Sequence, residues 1–169
     1  MKILIIKLGA KGDVVRTLSI LPALKKKYPI SEIYWITEKN NLNLFEGNPY
    51  IKKVYSSGEE LNMSFDYLYN FDIEEDALKL AQKIKAIKKF GFYSEMGYPT
   101  AFNIGAEYYL NTLFDDELKK ENNKTYQEML FESANLVFNR EQCPIYLSDE
   151  EKQHASEFLE KLGIKIDRL

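Results

Sequence analysis

The sequence predicts a domain of the α/β class, a parallel sheet with helices on both faces. Three observations predict it. Ile3-Leu4-Ile5-Ile6 is a continuous apolar run, the pattern of a strand buried on both sides. Strand-like and helix-like segments then alternate at the spacing of β-α-β units. The chain has 169 residues, 45% of them hydrophobic and 29% charged, which suits one well-filled core in water.

The elements follow in order. A short loop, Leu8-Gly9-Ala10-Lys11-Gly12, leaves the first strand. From Asp13 onward Val14, Val15, Leu18, Leu21, Leu24 and Tyr28 fall at helical spacing, and Pro22 should bend or loosen that helix. Residues 32–37 form the second strand, and an Asn-rich stretch over 40–48 reads as a short helix ending near Gly47. Residues 51–55 and 65–71 are the third and fourth strands. The spacing of Ala77, Leu80, Ala81, Ile84 and Ile87 predicts one amphipathic helix over 73–89, followed by a short strand over 90–93.

From 97 to 124 the pattern is aromatic and loop-like, and long irregular stretches are often functional. The aromatic residues from Tyr93 to Phe114 read either as an acceptor loop that stacks sugar rings or as core or interface packing. Helical spacing returns over 125–138, and Ser148-Asp149-Glu150-Glu151 is a capping box for a last helix that stops at Gly163. Ile164-Lys165-Ile166 then reads as a fresh strand, a sign that the fold continues past Leu169. This layout is Rossmann-like.

Composition excludes several classes. A net charge of -3 gives no reason to expect nucleic acid as a partner. Lys25-Lys26-Lys27 and Lys83, Lys85, Lys88 and Lys89 are basic clusters that read as solvated helix faces, with a membrane surface as the other reading. One cysteine, Cys143, and one histidine, His154, make neither a disulfide framework nor a Cys/His metal site, so they are assigned to packing and surface. The apolar start is too short for a signal peptide or a membrane span. The expected compartment is the cytoplasm, with peripheral contact to the inner membrane face at most.

In open α/β sheets ligands gather where the first strand turns into its helix. Here that segment is Lys7-Leu8-Gly9-Ala10-Lys11-Gly12-Asp13. Gly9 and Gly12 give neither the dinucleotide fingerprint nor a Walker loop. Asp13 stands instead at a helix start, where the dipole favours an ionised carboxylate. Two readings fit it, an ordinary N-cap and a general base acting on a sugar hydroxyl. Gly12 reads as a glycine admitting positive φ. Lys7 either holds a phosphate or carboxylate or is solvated.

The stretch KILIIKLGAKGDVVRTLSILPALKKKYP, from Lys2 to Pro29, resembles the opening of the family 9 glycosyltransferases, which include the lipopolysaccharide heptosyltransferases. The similarity continues through residues 33–38, 48–55, 65–67 and 88–92, with a looser echo over 126–131. The resemblance implies the amino-terminal half of a GT-B fold, two facing Rossmann-like domains with a cleft between them. It implies a metal-independent transfer that inverts the anomeric centre and uses no cofactor. Asp13 would be the catalytic base, with Lys7, Lys11 and Gly12 as acceptor-side contacts. The partners implied are a lipid-linked saccharide acceptor, typically lipopolysaccharide core, and a nucleotide-sugar donor, usually ADP-heptose. The family's donor site belongs to a carboxyl-terminal domain about as large again. Residues 1–147 would then be the acceptor-side domain and 148–169 a linker helix with the start of the donor domain. Such a half is expected to be inactive alone. A non-catalytic glycan- or protein-binding module is the alternative, and a dehydrogenase is disfavoured by the incomplete glycine pattern.

Overall fold

Lys2–Ile6 (β1) lies at the centre of the sheet because its residues are apolar on both sides, and Ile3, Leu4, Ile5 and Ile6 are fully buried. The computed structural model describes residues 1–164. The other strands are Glu32–Thr37 (β2), Ile51–Ser56 (β3), Phe65–Asn70 (β4), Ala86–Glu95 (β5) and Tyr98–Ala101 (β6). Their order is β3-β2-β1-β4-β5-β6, parallel except for the last pair. From β1 the chain first crosses to one side and later to the other. Right-handed crossovers in opposite directions put their helices on opposite faces.

Alternation along β1 divides the core accordingly. Ile3 and Ile5 join Trp35 and Tyr69 against Lys11–Thr17 (α1), Ile20–Lys27 (α2) and a later helix, Tyr126–Ser133 (α6). Leu4 and Ile6 join Tyr34, Ile36 and Leu68 against Glu75–Lys83 (α3). The Asn-rich stretch is a 3-10 helix over Lys39–Phe45, with Gly47 at positive φ beyond it. Pro22 acts by division: the helix breaks after Thr17, and α2 restarts with Pro22 in its first turn, where a missing N–H costs nothing.

The expected helix over 73–89 is shorter. It ends at Lys83, and Ala86 begins β5, a ten-residue strand paired with β4. Ile84 and Ile87 fit the helical period by coincidence, since Ile84 is buried while Ile87 is 78% exposed. Lys89 folds back and donates to the carbonyls of Ala81 at 2.7 Å and Gln82 at 3.0 Å, satisfying the last turn of α3. It is therefore no solvated helical lysine.

Gly91 is where β5 changes partner. It pairs with Asn70 on the parallel side, while Phe92 pairs with Ala101 on the antiparallel side. Its φ is +85°, and a Cβ there would lie 1.8 Å from the Asn70 carbonyl oxygen. Only glycine fits.

The stretch over 97–124 is ordered, not loop-like. Met96 and Gly97, both at positive φ, turn β5 into β6, as two-residue hairpins require. Ile104–Phe114 (α4) and Asp116–Glu121 (α5) follow. Phe92, Ala106, Tyr109, Leu110 and Met129 then form a third buried cluster between β5, α4 and α6. Asp149–Lys161 (α7) starts at the expected Ser148–Glu151 capping box, and Gly163 follows it at φ +70°. The strand expected from Ile164 falls on Lys165 and Ile166, which lie outside the described residues. Among the described residues no helix is long and apolar enough to cross a membrane.

Candidate active site at the head of β1

β1 and β4 are neighbours whose chains leave for opposite faces, so their carboxyl ends mark the switch point at which open α/β sheets gather ligands. The loop after β1 lies at this switch point and is fastened from two directions. Asp72, just past β4, accepts the N–H groups of Leu8 and Gly9 through Oδ2, both at 3.0 Å. Asn41, from the 3-10 helix, donates to the carbonyls of Leu8 at 3.0 Å and Gly9 at 2.9 Å.

Lys7 lies beneath this loop. It is buried, and its ammonium donates to the Phe71 carbonyl at 3.1 Å and pairs with Asp72 at 3.3 Å. The solvated reading of Lys7 is therefore corrected. Burial pushes the Asp72 carboxyl up, but Lys7 and the N–H groups of Gly9 and Glu74 outweigh it and hold it below its ordinary value. Asn70, fully buried, sets Asp72 in turn: it donates to the Asp72 and Phe92 carbonyls and accepts the Asp72 N–H at 3.1 Å.

Asp13 is not a cap. The N-cap of α1 is Ala10, which has no side-chain capping bond, and Asp13 is the third helical residue. Its carboxylate is thus free of the backbone, with the side chain 38% exposed. Oδ1 accepts from Arg16. Oδ2 faces the bare side of Gly9: a methyl there would lie 3.7 Å from Asp13 Oδ2, 3.5 Å from Asp72 Oδ2 and 3.6 Å from Lys7 Nζ. Two carboxylates and an ammonium converge on the space a side chain would fill.

α6 supports the arrangement from behind. The Arg16 guanidinium lies 4.1 Å from the Tyr126 ring centre. Thr17 gives its one hydroxyl hydrogen to the Asp13 carbonyl at 2.7 Å, so Tyr126 is the donor in the 2.8 Å bond between their hydroxyls. A Thr125–Glu128 capping box fixes the start of α6. Tyr109 meets Tyr126 edge-on, and burial pushes both phenols up, leaving them protonated.

Lys11 and Gly12 are exposed at the start of α1. Gly12 has helical, not positive, φ, and a Cβ there would meet nothing within 4 Å, so turn geometry does not explain it. The structure thus brings together Asp13, Lys7 and Gly9 and leaves Lys11 and Gly12 exposed at the start of α1. Sequence reasoning missed Asp72, Asn41, Arg16 and Tyr126. The Asn-rich stretch and the Tyr126 echo were signals, but no local pattern pointed to Asp72.

No protein-family profile matches the chain. It is 33% identical over 100 residues to the lipopolysaccharide core heptosyltransferase OpsX of Haemophilus influenzae, an alignment covering 52% of this chain and 29% of that protein. Its fold superposes on a family 9 glycosyl transferase from Veillonella parvula with TM-score 0.67 at 19% identity, covering 97% of this chain and 50% of the other.

The chain thus shares the fold of a family 9 glycosyl transferase and, over 100 residues, sequence similarity with a lipopolysaccharide core heptosyltransferase.

The E. coli ADP-heptose lps heptosyltransferase II shares the fold at TM-score 0.53 and 14% identity, over 99% of this chain and 52% of that one. The chain thus spans about half the length of these solved structures.

Proposed function

We propose that this domain is the acceptor side of an inverting, metal-independent glycosyltransferase, with Asp13 as the base. The observation that carries the reading is the convergence of Asp13 Oδ2, Lys7 and Asp72 on the open side of Gly9, at the ligand-facing edge of the sheet. The sequence likeness to a lipopolysaccharide core heptosyltransferase supplies the substrate class.

In the proposed step an acceptor hydroxyl enters the Gly9 space, and Asp13 Oδ2 takes its proton. The hydroxyl oxygen bonds to the anomeric carbon of the donor from the face opposite the leaving group. The bond from that carbon to the nucleoside diphosphate breaks, and the diphosphate leaves with the electron pair. One displacement inverts the centre. Arg16 holds the other Asp13 oxygen, while Lys7 from beneath and Lys11 and Gly12 at the rim contact the acceptor.

The acceptor we propose is a lipid-linked saccharide of lipopolysaccharide core type, met at the inner membrane face from the cytoplasm. The donor, ADP-heptose, is held by a facing donor-side domain, toward which residues 148–169 lead from the acceptor domain over 1–147. Orienting two substrates supplies about 7–11 kcal/mol of barrier reduction, so this domain alone is proposed to be inactive.

An NMR titration tests the reading. A deacylated inner-core oligosaccharide should shift the amides of residues 9–13, and ADP-heptose should leave them unmoved. Absence of saccharide shifts refutes the acceptor reading, and turnover of ADP-heptose by the isolated chain that Asp13→Asn abolishes refutes the inactivity of this domain alone.

A further inference from the structure

We infer that Asp72 is a positioning residue for the acceptor side, the group through which the end of β4 sets the loop that carries Asp13. The inference rests on the reading of that loop as the acceptor site. Its basis is where the Asp72 carboxylate directs its bonds. Oδ2 receives Leu8 N–H, Gly9 N–H and the Lys7 ammonium, all from the strand-end and loop of β1, while Oδ1 receives, among the described residues, only the nearby Glu74 N–H at 3.3 Å. These partners lie 63 to 65 residues away in sequence, so this is a tie between two sheet neighbours and not a local turn.

The tie is charged and dry. Asp72 is 4% exposed and Lys7 7%. Charge-assisted bonds to a carboxylate are shorter and stronger than neutral ones, and a buried acceptor leaves its donors no water to turn to. Residues 7–9 run directly into Ala10, the N-cap of α1, and Asp13 is the third residue of that helix. A loop released at Leu8 and Gly9 would therefore shift the start of α1. It would also widen the Gly9 space that Asp13 Oδ2 and Lys7 border. Asn70 keeps Asp72 from following the loop, because it binds the Asp72 backbone on both its N–H and its carbonyl. Glutamate would carry the charge one methylene too far, and asparagine would offer one acceptor oxygen and no charge for Lys7.

The test compares Asp72→Asn with the native chain by NMR and by titration with a deacylated inner-core oligosaccharide. The amide protons of Leu8 and Gly9 should move upfield in the variant, and saccharide binding should weaken at least tenfold. Ile33→Val, which loosens the sheet core away from the loop, should lower the melting temperature without that loss of affinity. If Asp72→Asn is too unstable to purify, Asp72→Glu takes its place with the same expectation of weakened binding. Binding within twofold of native by the variant overturns the inference, as does an unmoved Leu8–Gly9 amide pair. If the native chain binds no saccharide, the acceptor reading fails on its own, and the two amides still decide whether Asp72 holds the loop.

Discussion

The Arg16 guanidinium is stacked on the Tyr126 ring, 4.1 Å from its centre, while it holds one oxygen of Asp13. The orientation of a side chain near the amino terminus is therefore set by a helix far along the chain. α6 is itself seated between two core clusters, with Leu130 and Phe131 in one and Met129 in the other.

Tyr126 should thus be separable into two contributions. Tyr126→Phe keeps the ring under Arg16 and loses only the hydroxyl bond to Thr17, an expected cost of about 1 kcal/mol. Tyr126→Ala also removes the ring that Arg16 and Tyr109 lean on, and should cost about 3 kcal/mol or more. Urea unfolding of the two variants measures the difference. Equal midpoints would show that the ring does not support the site.

The Lys7–Asp72 pair carries a pH signature. The Asp72 carboxyl is held below its ordinary value in the folded state, so the folded chain binds that proton less readily than the unfolded one. The resulting stability is present above the unfolded value of about 3.9 and is lost as pH falls through the lower folded value. Unfolding free energy should therefore drop on acidification below about pH 4. Asp72→Asn should start lower, since Lys7 is left buried without a counter-charge, and should fall less steeply over the same range. A variant as steep as the native chain would move the acid transition to other carboxylates.

Sequence and structure agree where a segment's fate is decided by its own residues. Ile3 to Ile6 are apolar on both faces and could only be a central strand, and Ser148 with Glu151 caps a helix without outside help. The disagreements arise where distant partners decide. Ile84 and Ile87 keep helical period, yet pairing with β4 pulls the chain into a strand from Ala86. The hairpin after Glu95 was marked only by one glycine, Gly97, among aromatic residues. The site divides the same way. Asp13 and Lys7 were visible because the loop after the first strand is a known place to look. Asp72 was not, because its importance lies in bonds to residues far earlier in the chain.

Two glycines should respond in opposite ways to alanine. At Gly91 a methyl would meet the Asn70 carbonyl at 1.8 Å with φ at +85°, a backbone clash in a conformation alanine avoids. Gly91→Ala should cost about 3 kcal/mol or more and disturb both sides of β5. Gly12→Ala meets open space in helical backbone and should stabilise by roughly 0.5–1 kcal/mol. If Gly12 also lines the acceptor entrance, the same change weakens saccharide binding while raising the melting temperature. Thermal melts and saccharide titration on one pair of samples read both effects.

Asp13→Asn should separate chemistry from folding. The Asp13–Arg16 pair is open to water, with side chains 38% and 48% exposed, and exposed pairs are worth about 0–1 kcal/mol. Loss of a carboxylate from the first turn of α1 adds about 0.3–1 kcal/mol through the helix dipole. The asparagine oxygen can still accept from Arg16, so the side chain keeps its place. Melting should therefore stay within a few degrees of native. A carboxamide cannot take a proton at neutral pH, however, and removing a general base typically costs 10²–10⁴-fold, on the order of three decades. In a chain that carries the donor-side domain, transfer to the saccharide should fall by that factor while acceptor binding persists. Native-like transfer by Asp13→Asn would leave the carboxylate at the head of α1 without a chemical role. A loss of binding in proportion to the loss of transfer would make it an acceptor contact instead of a base.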